Sequence, residues 1–187
     1  MSTPSPLRAL FALPEAGRGA PLRFVASFAL TSGALFCVYF VVAFPYSGLP
    51  YLGYTAYLRF YALAAGTVLH AFDPAVSVSG DVINGRASLS IVRGCDASEV
   101  LVLLSAAVLA AGVYPWRLRV LGVLAGAAAV TMANIVRICS LYCVSVYFPS
   151  AFEACHLEIW PLGLIVLAVV FFVAWARWAS TRTAAAR

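Results

Sequence analysis

Long apolar runs, broken only at segments that carry arginine, leave this chain few ways to fold in water. Hydrophobic residues make up 64% of the sequence and charged residues only 10%. A mean hydropathy of +0.97 lies far above that of a soluble globular chain, so the expected solvent is lipid. A length of 187 residues allows one domain. Every basic residue is an arginine. Arg8, Arg18 and Arg23 lie at or before the start of the first long apolar run, Arg117 and Arg119 punctuate the middle, and Arg177, Arg182 and Arg187 close the chain. Cytoplasmic segments are where arginine accumulates in membrane proteins. The net charge of +5 therefore reads as membrane orientation. No basic face is interleaved with exposed aromatics, so no nucleic-acid partner is expected.

The same landmarks divide the chain. Residues 1–21, with Pro4, Pro6, Pro14 and Pro21, read as a flexible cytoplasmic tail. Leu22 to Phe44 is nearly unbroken apolar and long enough to cross a core of roughly 30 Å at about 1.5 Å per residue. It exceeds a signal-peptide core, so it is expected to stay as a first span that Pro45 ends. A second span is expected from about Val100 to Tyr114, stopping at the Arg117–Arg119 loop. A third returns over Val120 to Phe148, and a fourth covers Pro161 to Trp175 between the anchors Trp160, Trp175 and Trp178. Parity then forbids a complete crossing within 45–95. Tyr54 to Phe72, which carries Arg59 and His70, is expected to lie in the outer interface as an amphipathic helix. The predicted fold is an all-α integral membrane protein. It has four transmembrane helices, one outer-interface helix and a short extracytoplasmic β-hairpin. A membrane-embedded domain over 22–178 precedes a basic cytoplasmic tail over 179–187. The hairpin is expected to pair the Val76 and Leu89 segments across Asn84-Gly85, a type I′ turn signal, and to deliver the chain to Cys95.

On that topology three chemically active side chains from separate segments meet one leaflet. Cys95 opens the second span. Asp96 followed by Glu99 resembles a capping box with Asp96 as N-cap, which would place the thiol near free helix N–H groups that favour a thiolate. Arg137 sits inside an apolar helix, close to its outer boundary, with Asn134 on the same face. An unpaired guanidinium there costs a few kcal/mol on insertion scales. His156 precedes the last span, and an imidazole titrates near neutral pH and can act as acid or base. Each has a plain structural reading alone: a small residue at a helix entrance, a snorkelling arginine, an interfacial histidine. Their convergence on one face favours a site. Cys155 and His70 are weaker rivals as nucleophile and base. The five cysteines are an odd number with no zinc spacing, so no disulfide framework, metal or other cofactor is expected. Cys139 and Cys143, one turn apart, read as packing.

These residues resemble the exosortase/archaeosortase family of membrane-embedded cysteine transpeptidases, and most of all its compact exosortase H type. The resemblance rests on a cysteine opening a transmembrane helix, on Asn134-x-x-Arg137 in the next helix and on a histidine before the last. It covers roughly residues 22–178. Where the family often has Cys-Ala-Gly or Cys-Asn-Gly, this chain has Cys95-Asp96-Ala97. The resemblance implies a bacterial cytoplasmic (inner) membrane location with the site on the extracytoplasmic side. It also implies exported protein substrates that end in a short motif, a transmembrane helix and a basic tail. Cys95 would attack the scissile carbonyl to give a thioacyl intermediate. His156 would protonate the leaving amine and activate the acceptor, and Arg137 would stabilise thiolate or oxyanion. A scaffold, a small transporter subunit and simple proteolysis with water as acceptor remain alternatives at this stage.

Overall fold

Among the described residues of the computed structural model, three stretches are long and apolar enough to cross a membrane: Pro21–Val41, Trp116–Tyr147 and Pro149–Ala185. The structure describes residues 20–43 and 48–185. The expected tail over 1–21 lies outside them apart from Ala20 and Pro21, as do Phe44 and Pro45. Helix α1 is Ala20–Ala43 and α2 is Gly48–His70; a small sheet follows, with β1 at Ser77–Ser79, β2 at Val82–Asn84 and β3 at Ser88–Ser90. Helix α3 is Ser98–Ala110 and α4 is Trp116–Tyr147. A 3₁₀ turn (Pro149–Ala151), one α turn (Phe152–Ala154) and a π-helical turn (Cys155–Ile159) lead into α5, Trp160–Ala185.

The exterior is apolar. Leu22, Leu30, Leu124, Val169 and Val170 are all exposed, as in a bundle solvated by lipid. Inside, α3 packs against α1, α4 and α5. Its Leu104 and Val108 share a buried cluster with Val130, Leu164 and Trp175, the last of which lies at the arginine-loop end. There the Trp175 ring lies against the bare backbone of Gly122, where any side chain would collide with the indole. Trp175 Nε1 donates to Leu118 O at 3.2 Å, and Tyr114 and Ser180 join hydroxyls at 2.9 Å. This helix is shorter than the span expected over Val100 to Tyr114. Its 13 residues rise about 20 Å. The chain then closes on itself, with Ala111 N–H on Val108 O and Gly112 N–H on Ala110 O. Arg119 Nη1 satisfies Leu109 O at 2.9 Å. At the other terminus, α5 continues past Trp175 through Ala185 with Ala179 fully buried, so residues 179–185 extend a helix.

The opposite end holds α2 and the sheet. Helix α2 starts before the expected Tyr54 and presents Tyr54, Leu58, Tyr61, Ala65 and Leu69 to Ile138 and Tyr142 of α4. The expected two-stranded hairpin is corrected to three antiparallel strands in the order β1-β2-β3. The segment counted as the turn contributes a strand of its own. The tight turn falls instead between Ser79 and Val82, where Gly80 takes φ 65°. Gly85 does not adopt a positive φ, so Asn84-Gly85 is no type I′ turn. Its missing side chain serves close approach: a Cβ there would meet the Tyr142 hydroxyl. That hydroxyl accepts from Arg86 N–H at 3.0 Å, and Arg86 pairs with Asp73 at 3.1 Å. With Val76, Ile83 and Ile91 buried beneath it, the sheet is anchored to the helices. A ribbon this short requires such support.

Candidate active site

The chain leaves β3 and reaches Cys95 through a turn that two neighbouring helices hold in place. Gly94 has φ 86°, and Cys95 N–H returns to Val92 O at 2.9 Å. Three successive carbonyls then each meet a side-chain donor. Gly94 O accepts from Arg137 Nη1 at 3.4 Å, Cys95 O from Asn134 Nδ2 at 2.9 Å, and Asp96 O from the Tyr57 hydroxyl at 3.4 Å. Backbone carbonyls removed from water need such partners. The site end of α4 and one face of α2 thus fix the path of the segment that carries Cys95.

The expected capping box does not form. The residue before α3 is Ala97, in the left-handed region at φ 55°, and no side chain caps the helix. Asp96 is 1% exposed, and its carboxylate accepts from the hydroxyls of Ser98 and Tyr54, the latter at 2.9 Å. It is drawn into the interior by those hydroxyls, away from the backbone N–H groups it was expected to cap. Glu99, the other half of the expected box, is exposed in the first turn. Behind Asp96 the polar chain continues, with Tyr57 and Tyr61 hydroxyls 3.2 Å apart and Tyr61 reaching Thr131 at 3.5 Å. Burial, then the Asp96 charge, holds the Tyr54 phenol well above its ordinary pKa, so it remains a donor to the carboxylate. Tyr54, Tyr57, Tyr61 and Ser98 were not singled out from sequence. The signal was present in the i, i+3, i+7 spacing of the three tyrosines, which sets them on one helical face.

Cys95, Arg137 and His156 line one cleft of about 190 Å³ between β3, the site end of α4 and the lead-in to α5. Cys95 Sγ lies 3.3 Å from His156 Nε2. That is hydrogen-bonding reach for a thiol and a candidate base. The imidazole is carried by the π-helical turn and lies 5.5 Å from the Phe152 ring. A π turn inside a helix shifts side-chain phase and is frequent where a functional group must be aimed. Arg137 is 4% exposed, and among the described residues no carboxylate pairs with it. Its Nε and the Oδ1 of the fully buried Asn134 have no partner among the described residues. A guanidinium held this way is a ready site for developing negative charge.

The remaining sequence candidates fall elsewhere. His70 Nδ1 is bound to Val76 O at 2.8 Å beside the sheet. Cys155 does not line the cleft. Cys139 packs in the α2–α4 interface, its Sγ 3.7 Å from Ala65 O, and Cys143 is exposed. No group of three or more His, Cys, Asp or Glu side chains that could hold a metal occurs among the described residues. No family model, no curated protein and no solved structure matches the chain.

Proposed function

We propose that this chain is a membrane-embedded cysteine peptidase or transpeptidase of the exosortase/archaeosortase kind, which cleaves C-terminal sorting signals of exported proteins. The observation that carries the reading is the 3.3 Å approach of Cys95 Sγ to His156 Nε2 in a cleft that also holds the Arg137 guanidinium. His156 accepts the thiol proton, and the sulfur adds to the scissile carbonyl carbon. The tetrahedral oxyanion develops beside Arg137. As the C–N bond breaks, His156 returns the proton to the leaving amine, and a thioester remains on Cys95. An acceptor amine or water then adds, again losing its proton to His156, and the thiol leaves. Asn134 and Asp96 act through position, since both hold the turn that carries the nucleophile.

In this reading α1, α3, α4 and α5 make four crossings, and α2 lies at the outer interface of a bacterial inner membrane. The Arg117–Arg119 loop is cytoplasmic and the cleft extracytoplasmic. The substrate's own transmembrane helix docks beside the bundle, and its basic tail remains on the cytoplasmic side. The test is processing of a co-expressed exported protein that ends in an apolar helix and arginines. Cys95→Ala abolishes cleavage while the chain still inserts. Normal cleavage by that variant contradicts the assignment.

A further inference from the structure

The cleft touches four consecutive residues, Leu89, Ser90, Ile91 and Val92. Leu89 and Ser90 belong to β3, and Ile91 and Val92 follow it; successive strand side chains point to opposite faces, so a cavity meeting both Leu89 and Ser90 runs along the strand's edge. The register identifies which backbone groups face it. Ile91 N–H donates to Asp81 O at 2.9 Å, which makes 81 and 91 a hydrogen-bonded pair. Such pairs alternate along an antiparallel ladder. With Ile83 opposite Leu89 and Val82 opposite Ser90, Leu89 turns its amide and carbonyl toward β2. Ser88 and Ser90 turn theirs away from it. Among the described residues no strand lies beyond β3. Open edges are usually blocked by charge, proline or a covering element. This one instead borders the cavity that holds the thiol.

We propose that the outer edge of β3 is the substrate-binding strand. An uncharged, extended segment of the substrate adds to it through the backbone groups of Ser88 and Ser90, which brings a carbonyl to Cys95. This proposal deepens the peptidase reading and rests on it. Strand addition takes affinity from main-chain hydrogen bonds and specificity from pockets for alternate side chains. The far wall here is Ile138, Leu141 and Phe152, and among the described residues the only ionisable groups lining the cleft are Cys95, Arg137 and His156. A charged side chain would be desolvated there without a partner, so the segment is apolar at the position that faces α4.

The experiment compares two reagents on the full-length protein in nanodiscs, with alkylation of Cys95 read by mass spectrometry. Iodoacetamide reports the thiol alone. The chloromethyl ketone of acetyl-Val-Leu-Ala reports the thiol together with an extended peptide. The peptidyl reagent is expected to outpace iodoacetamide by more than it does on free cysteine. Ser90→Pro is expected to reduce that advantage about tenfold, the scale of one or two backbone hydrogen bonds. The Ser90 N–H makes no bond to β2, and proline is tolerated on edge strands. Should Ser90→Pro also abolish reaction with iodoacetamide, Leu141→Trp, which fills the far wall, decides by the same ratio. An unchanged ratio in the deciding variant, or no peptide advantage in the wild type, overturns the proposal. A change confined to self-association through β3 overturns it too. If Cys95 reacts with neither reagent while other cysteines do, the nucleophile assignment itself fails, and the strand proposal with it.

Discussion

Ala97 holds φ 55° at the entrance to α3, a conformation that costs an L-residue with a Cβ roughly 1–2 kcal/mol. The left-handed turn is made here by a residue with a side chain, which bears the strain. Ala97→Gly is expected to raise stability by up to about 1 kcal/mol, the relief being partly offset by glycine's backbone entropy. Thermal unfolding in detergent measures it. Arg137 makes the second argument at this scale. Its Nη1 donates to Gly94 O, and its buried Nε has no partner among the described residues. Lysine cannot supply two directed donors from one plane, so Arg137→Lys is expected to lower turnover by about 10²-fold with insertion intact. Cys95, Arg137 and His156 could be picked out by sequence because ionisable groups stand out against apolar helices. Tyr54 and Tyr57 could not, because a tyrosine in an apolar run looks like packing until the helix facing it is known. Asp96 was noticed for the wrong reason. Cap spacing described a helix start, while the actual partners are the hydroxyls of Tyr54 on α2 and Ser98 at the start of α3.

At the level of elements, long apolar runs located the helices and misjudged their ends. Helix α3 stops at Ala110 because the backbone folds back before Pro115, and nothing in the composition of Ala111-Gly112-Val113 separates that turn from more helix. Helix α5 runs on to Ala185 because Ala179 and Ser180 find partners in the bundle, whereas arginines nearby read as a tail. The sheet shows the same lesson. A turn signal at Asn84-Gly85 was real as a glycine requirement, but the cause is the Tyr142 hydroxyl on α4, and no local rule contains that contact. Gly85→Val is therefore expected to push the sheet from α4 and destabilise the protein by about 1–3 kcal/mol. Faster amide exchange across 77–90, with α4 and α5 unaffected, would show it. Equal protection in wild type and variant would refute the close-approach argument.

For the molecule as a whole, sequence parity and the structure agree that Cys95, Arg137 and His156 share one end of the bundle and Arg117 and Arg119 the other. Hydropathy could place residues in depth but could not bring a sulfur to 3.3 Å from a ring nitrogen. That contact depends on the π turn and the three clamped carbonyls. The proposed topology predicts that a membrane-impermeant maleimide labels Cys155 in intact cells, and that permeabilising the inner membrane adds no further label there. Labelling only after permeabilisation would invert the bundle. The most direct measurement is mass spectrometry of Cys95 after co-expression with a tailed exported substrate. The account predicts a hydroxylamine-labile acyl adduct on Cys95 and on no other cysteine. An unmodified Cys95 beside cleaved substrate, or the adduct on Cys155, would contradict it.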